Sequence, residues 1–125
     1  MFDAEAVADH VAEVRARIAA AGGRDVELVA VTKTFPVEAI RAAVAAGCTA
    51  IGENYAQELV AKVAALIEAG CAEGERPEVH FIGHVQTNKV RMLAPVVTVW
   101  ETVDRAAIVD EIGRASCRER VCLLV

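Results

Sequence analysis

Lys33 is the residue of this sequence whose position most directly suggests a chemical role. It follows the apolar run Leu28 to Val31 after a single threonine, and Pro36 stands three positions further on. A lysine amine attacks a carbonyl carbon only when it is neutral, and apolar surroundings favour the neutral form. Lys33 is therefore either a nucleophile at the mouth of a pocket or an ordinary solvated charge. Position alone favours the solvated charge, because most lysines in proteins are exposed.

A polar pair follows each of four predicted strands. The pairs are Thr32-Lys33, Glu53-Asn54, Gly83-His84 and Glu101-Thr102. The carboxyl ends of parallel strands meet on one rim of a sheet, and active groups of α/β proteins gather there. The pairs therefore predict a functional rim, although polar residues at strand exits are also ordinary loop chemistry.

Simpler structural roles compete for several of the polar residues. Asn54, with Gln57 three positions later, fits the N-cap of the next helix, a role compatible with ligand contact. Thr87 fits the cap of the following helix. His80 lies inside the third strand, where a hydrogen-bonded core histidine is expected. His84 could stack on a ring, exchange a proton or be solvated.

The elements that must position these residues alternate along the chain. After an opening helix over 3–21, the pattern predicts strands over 26–31, 48–52, 79–83 and 96–100, and helices over 37–47, 55–69, 88–93 and 104–114. Such alternation indicates an α/β fold with parallel strands joined by right-handed crossovers. An open doubly wound sheet and part of a (β/α)8 (TIM) barrel both fit. The glycine signatures of dinucleotide and phosphate loops are absent from the sequence.

Composition narrows the class of protein. The 125 residues are 55% hydrophobic and 25% charged, which suits one domain with a real core, and the net charge of -5 argues against a nucleic-acid binder. No apolar run approaches the length of a membrane span, and the acidic start lacks an export signal, so we expect a cytoplasmic protein. The cysteines lack metal-ligand spacing, which predicts free thiols and no metal site; they are Cys48, Cys71, Cys117 and Cys122.

Four sequence blocks resemble one known family. "VAVTKTFPVEAI", "GENYAQELVAK", "HFIGHVQTNKVR" and "ETVDR" are similar, in order and approximate spacing, to the pyridoxal phosphate homeostasis protein family. Together they span residues from about 26 to 105. Any one block would be weak, but four in register are specific.

The resemblance implies a fold, a cofactor and site residues. The fold is a (β/α)8 barrel like the N-terminal barrel of alanine racemase, a fold-type III architecture. Pyridoxal 5′-phosphate (PLP) would be held as a Schiff base on Lys33, with Asn54 lining the same pocket and His80 as a weaker correspondence. Members are regarded as carriers or regulators of vitamin B6 balance without an established reaction, so the resemblance implies a non-catalytic protein. Apo forms of PLP enzymes are the candidate recipients of the cofactor.

Two enzymatic alternatives remain open at this point. One is a fold-type III PLP enzyme such as an amino-acid racemase. The other, which needs no resemblance, is a barrel aldolase that uses Lys33 to form a Schiff base with a sugar or keto-acid substrate.

The resemblance stops after about Arg114. We interpret residues 1–114 as the N-terminal half of a PLP-binding barrel, with about four βα units. Residues 115–125, "ASCRERVCLLV", are interpreted as a non-family tail of a truncated product, from a frameshift or foreign sequence. The alternative is that "VCLLV" forms a divergent fifth strand. Because the family's phosphate-binding groups would follow in the second half, we expect this chain to bind PLP less tightly than a full-length protein.

Overall fold

A parallel sheet with helices on one face organises the protein. The computed structural model describes residues 2–115 and 120–123, with side chains described for 2–115. The helices are α1 (Ala4–Ala20), α2 (Val37–Ala45), α3 (Ala56–Glu68), α4 (Thr87–Leu93) and α5 (Ala106–Ala115), with a short 3-10 turn at Glu73–Glu75. The strands are β1 (Val29–Val31), β2 (Ala50–Glu53), β3 (Glu78–Phe81), β4 (Val99–Val103) and β5 (Arg120–Leu123).

Strand order decides between the two architectures left open by the sequence. Within the described residues the order is β1-β2-β3-β4-β5, and every neighbouring pair is parallel. A doubly wound sheet reverses its strand order at a switch point, and this sheet does not. Right-handed crossovers between strands in chain order place all the connecting helices on the same face. The fold is therefore part of a (β/α) barrel.

The core lies between the helices and the sheet face that they cover. Leu59 of α3 and Trp100 of β4 are completely buried, and the Phe81 and Trp100 rings lie 6.2 Å apart between centroids. The other fully or almost fully buried large side chains are Ile40, Ile51, Leu93, Ile108, Val85, Val90 and Val103. Alternate strand residues supply this layer, so the remaining residues of each strand face the opposite, inner side of the sheet.

Two helix boundaries lie where the capping residue and the glycine in the sequence predict them. Helix α1 begins after Asp3, whose carboxylate accepts hydrogen bonds from the amides of Glu5 and Ala6 at 3.0 and 3.1 Å. Helix α2 is followed by Gly47 with a φ of +88°, the left-handed conformation that glycine adopts without steric cost. Both boundaries agree with the predicted helices over 3–21 and 37–47.

Two predicted helix caps are wrong. The N-cap residues of α3 and α4 are Tyr55 and Gln86, and neither helix has a side-chain cap hydrogen bond. Asn54 lies one residue before the cap position, and Thr87 is the first helical residue. Packing rather than side-chain capping holds these helices in place. The polar groups of Asn54 and Thr87 are therefore available for other contacts.

The fourth strand lies three residues later than predicted. Val96 and Val97 belong to a turn after α4, in which both amides donate to the carbonyl of Leu93 at 2.9 Å. Both valines pack against the core from this turn. A short apolar run does not by itself distinguish a strand from a buried turn, which explains the displaced prediction.

The C-terminal segment includes a strand. Residues Arg120–Leu123 pair in parallel with β4 and overlap the fifth strand that the alternative interpretation predicted over 121–125. Ala115 ends α5, residues 116–119 and 124–125 lie outside the described residues, and the foreign origin of the tail stays a prediction. None of the helices within the described part of the chain is long and apolar enough to cross a membrane.

Two aliphatic residues of α3 should differ sharply in the loss of stability that follows their replacement by alanine. Leu59 is fully buried and Ile67 is 54% exposed. Leu59→Ala should lower the free energy of unfolding by about 2–5 kcal/mol, because it leaves a cavity in the core. Ile67→Ala should change it by less than about 0.5 kcal/mol. Urea unfolding followed by far-ultraviolet circular dichroism measures both, and equal losses would contradict this packing.

Candidate functional site

Lys33 lies just beyond β1, in the turn that leads to α2. Its side chain is half-buried, while Thr32 is buried and Thr34 is exposed with a φ of +67°. Within the described residues, no hydrogen-bond acceptor or carboxylate contacts the Lys33 ammonium. An exposed lysine often pairs with a nearby acid, and no acid pairs with Lys33 among these residues.

A buried lysine on α3 connects the ends of the first two strands. Lys62 Nζ lies 2.8 Å from Glu53 Oε1 and 2.6 Å from Glu58 Oε1, and it donates to the Thr32 carbonyl at 2.8 Å. Lys62 is 7% exposed and Glu53 is fully buried. Burying two charges is costly unless they are paired and hydrogen-bonded. The contacts meet that condition for Lys62 Nζ and Glu53 Oε1, whereas Glu53 Oε2 has no hydrogen-bond partner among the described residues.

Both neighbours of Lys33 in the chain are bonded to this network. The Thr32 hydroxyl donates to Glu53 Oε1 at 2.6 Å, and the Thr34 amide donates to Glu58 Oε1 at 2.7 Å. The lysine therefore sits on a backbone segment fixed on each side, while its own amine remains without a partner among the described residues. Rigid support with a free reactive group is the arrangement that a covalent ligand site needs.

The network also sets the charge of Glu58. Partial burial opposes ionisation, but the hydrogen bond from Lys62, the amide of Thr34 and the attraction of the Lys62 charge together lower the pKa of Glu58 below its ordinary value of 4.5. Glu58 is therefore ionised at neutral pH and holds the Thr34 amide by a charge-assisted hydrogen bond.

Some residues of the predicted rim face the helices instead. Glu53 and Thr32 face the helices and belong to the buried network, so the expectation that each polar pair faces the rim as a unit is wrong. Lys33 and Asn54 each follow by two residues the paired positions Val31 and Gly52. These two side chains therefore lie at adjacent strand ends on the same edge of the sheet.

Sequence reasoning missed Lys62. The signal was present, because Lys62 stands three residues after Leu59 and four before Leu66, on the apolar face of α3. It also follows Glu58 by four residues, the spacing of a helical ion pair. A lysine in an apolar stripe next to an acid indicates a buried pair rather than a solvated charge.

Asn54 lies against the backbone of the neighbouring strand end. A Cβ atom on Gly83 would lie 2.2 Å from the Asn54 carbonyl oxygen and 2.9 Å from Oδ1, so only glycine allows this approach. A cleft of about 190 Å³ opens beside it, lined by Asn54, Tyr55, Ala56, Gln57, Phe81, His84, Gln86, Lys89 and Leu93. His84 is largely exposed, with Nδ1 4.0 Å from Asp104. Its choice among stacking, proton exchange and solvation stays open.

His80 has a different environment from Lys33. It is buried on the inner face of the sheet, and its Nδ1 contacts Oε1 of Glu101. Its Nε2 lies 3.6 Å from Glu78 and 3.8 Å from Glu27. The prediction of a hydrogen-bonded histidine inside strand three is confirmed. Glu101, predicted for the rim, is directed to His80 instead.

Comparison with known proteins gives relatives along most of the chain. No protein-family model matches it. The pyridoxal phosphate homeostasis protein of Haemophilus influenzae is 46% identical over 88 residues, covering 70% of this chain and 35% of the relative. That of Escherichia coli K12 is 38% identical over 113 residues, covering 86% of this chain and 47% of the relative. The chain thus spans less than half the length of these relatives.

The fold and the strand-end residues define a partial (β/α) barrel with a lysine at the end of its first strand. PipY of Synechococcus elongatus, solved with PLP bound, matches this fold with a TM-score of 0.74 and 32% identity, over 87% of this chain and 47% of that chain. Over the part that it spans, the chain is similar to the pyridoxal phosphate homeostasis proteins of these organisms. The resemblance seen in the four sequence blocks is confirmed.

Removal of the buried lysine provides a test of the network. Lys62→Met should lower the free energy of unfolding by about 3–5 kcal/mol, because Glu53 would remain as an uncompensated buried charge. In the double variant Glu53→Gln/Lys62→Met that charge is absent, so a large part of the loss should be recovered. Chemical denaturation compares the wild type, both single variants and the double variant, and additive losses in the double variant would contradict the pair.

The lowered pKa of Glu58 predicts a pH dependence. A carboxyl whose pKa is depressed by folding stabilises the protein above its unfolded pKa, and this contribution is lost as pH falls through the folded value. The unfolding free energy should therefore fall between about pH 5 and pH 3, and Glu58→Gln should reduce that slope. Glu68→Gln, an exposed change on the same helix, should leave the slope unchanged. An unaltered slope in Glu58→Gln would refute the assignment.

Proposed function

We propose that this chain is a PLP-binding protein of vitamin B6 homeostasis, with Lys33 as the residue that holds the cofactor. The observation that carries the proposal is the state of Lys33, whose flanking threonines are fixed by the buried network while its amine has no partner among the described residues. The names of the relatives and the PLP bound in PipY support the choice of cofactor.

The chemistry of the attachment fits the residue. Lys33 would hold PLP through its amine as a Schiff base, with the aldehyde oxygen and the two amine hydrogens lost as water. Lys62 is a poor competitor, because its ammonium is held by Glu53 and Glu58 in a buried site. Bound PLP supplies a conjugated ring that accepts electrons from attached amines.

Asn54 and His80 are proposed as further cofactor-binding residues, with unequal support. Asn54 lies at the strand end next to that of Lys33 and borders a cleft of suitable polarity. The imidazole of His80 lies among carboxylates on the inner face of the sheet, so its contact with the cofactor rests on the family resemblance alone. Its side chain has a second interpretation, developed in the next subsection.

The proposed role is carriage of the cofactor rather than catalysis. Racemisation of an amino acid requires acid and base groups on both faces of the cofactor, and the relatives are named for homeostasis. Apo forms of PLP enzymes in the cytoplasm are the proposed recipients. A racemase and an aldolase remain the enzymatic alternatives. Either would be recognised by turnover of its substrate.

Reductive trapping tests the attachment site. The chain has three lysines, Lys33, Lys62 and Lys89, so a pyridoxyl group is easily located. The purified chain is mixed with PLP, reduced with borohydride and digested, and the peptides are analysed by mass spectrometry. We expect one adduct, on Lys33, and its loss in Lys33→Ala.

Lys89→Ala is the matched control, because Lys89 is also half-buried and borders the cleft beside Asn54. This variant should keep the Lys33 adduct. A principal adduct on Lys62 or Lys89, or none at all, would overturn the assignment. Turnover of a free amino acid by the PLP-loaded protein would favour the racemase, and trapping of a keto acid without PLP would favour the aldolase.

A further inference from the structure

A second cluster of reactive side chains lies apart from the rim that carries Lys33. Glu27, Glu78 and His80 each offer one ligand atom, and these three atoms lie within 4.8 Å of one another. Glu27 precedes β1 and Glu78 begins β3, whereas Lys33 follows β1. The two carboxylates therefore come from the amino ends of the strands, whereas His80 pairs with Gly52 and is level with Val31, two residues before Lys33.

The backbone alternation of β3 directs this cluster to the inner face of the sheet. Val79 and Phe81 pack in the core under the helices, so Glu78 and His80 project from the other side. Glu27 reaches the same place from the segment before β1. Glu27 and Glu78 are 49% and 39% exposed, which leaves a route from solvent.

One atom of the cluster lacks a hydrogen bond although it is buried. His80 is only 5% exposed, and its Nε2 has no hydrogen-bond partner among the described residues. The nearest carboxylate oxygens are 3.6 and 3.8 Å away, beyond normal hydrogen-bond distance. An orphaned buried nitrogen costs free energy unless something binds it.

The other ring nitrogen of His80 has a partner of its own. Nδ1 contacts Glu101, an acceptor for a ring N–H. In the tautomer that donates from Nδ1, the lone pair of Nε2 is available to a cation bound by the two carboxylates. A carboxylate behind a histidine is the usual outer contact of a metal-bound imidazole, because it orients the ring and raises its basicity.

The spacing matches a bound transition-metal ion. Zinc binds histidine nitrogen and carboxylate oxygen at about 2.0–2.2 Å, so two ligands of a tetrahedral site are about 3.4 Å apart. The observed separations from Nε2 are 3.6 and 3.8 Å, within the reach of small side-chain rotations. Three carboxylates around one imidazole also concentrate negative charge that a divalent cation neutralises.

We propose that His80 Nε2, Glu27 and Glu78 bind a divalent cation of the zinc type, and that Glu101 supports His80 from its Nδ1 side. A donor set of one imidazole and two carboxylates suits zinc and its transition-metal neighbours better than magnesium or calcium, which take oxygen ligands alone. The cysteine spacing predicted no metal site. Glu78 and His80 stand two residues apart on β3, but Glu27 comes from the distant segment before β1, so the sequence shows no linear motif for the whole donor set.

Metal titration of the full chain tests the site. The protein is stripped with a chelator, and Zn²⁺ binding is measured by calorimetry, with Mg²⁺ and Ca²⁺ as comparison ions. We expect one Zn²⁺ per chain and no comparable binding of the other two. Co²⁺ in place of Zn²⁺ should give visible bands typical of nitrogen and oxygen ligands. Lys33→Ala should bind Zn²⁺ unchanged, which separates this site from the proposed cofactor site.

Variants identify the ligands. His80→Gln should weaken Zn²⁺ binding by about 100-fold or more, and Glu101→Gln by about 10–100-fold, as for outer contacts of metal sites. Glu68→Gln removes an exposed acid elsewhere and should change nothing. If His80→Gln does not fold by circular dichroism, Glu27→Gln at the exposed ligand provides the same test. Absence of stoichiometric binding, or equal affinity in the ligand variants and Glu68→Gln, overturns the proposal.

Discussion

The buried contact between Lys62 and Glu53 is the interaction on which the local structure around the candidate site depends. It joins a helix to the ends of two strands with one ammonium group. Without the lysine, the carboxylate of Glu53 would be a buried unpaired charge, and without the carboxylate the ammonium would be drawn towards water. The pair is therefore stable only when α3, β1 and β2 are docked together.

Lys33 and Lys62 differ because their surroundings differ. Lys62 has its charge satisfied by two carboxylates and a carbonyl, and its role is structural. Lys33 extends from the segment that Lys62 holds, and contacts no acceptor among the described residues. The contrast arises because Glu53 alternates to the helix side of β2, whereas the next residue, Asn54, lies at the sheet edge beside Lys33.

Much of the fold could be predicted from the sequence because its periodic signals are local. The glycines after helices, the apolar faces of α2 and α3 and the alternation of strands and helices each report on their own segment. The fourth strand was displaced because Val96 and Val97 are buried for a tertiary reason, packing from a turn. Strand order is also tertiary, and only the structure eliminated the doubly wound alternative.

The candidate site contains both local and tertiary signals. Lys33 and Asn54 were singled out by their places after predicted strands, and their assignment to the cofactor came from the family resemblance and stays a prediction. The partners of His80 were not found, because Glu27 and Glu101 are brought to it by other segments of the chain; Glu78 lies two residues away on the same strand. The cap predicted for Asn54 failed because side-chain pattern does not reveal that Tyr55 takes the capping position.

The backbone conformation of Thr34 shows that the turn carrying Lys33 depends on contacts with other segments. A β-branched residue with a φ of +67° occupies a conformation that costs roughly 1–2 kcal/mol, and the hydrogen bond from its amide to Glu58 offsets that cost. A peptide containing only this turn would relax to an extended shape. Lys33 therefore acquires its position only when α3 has docked against the sheet.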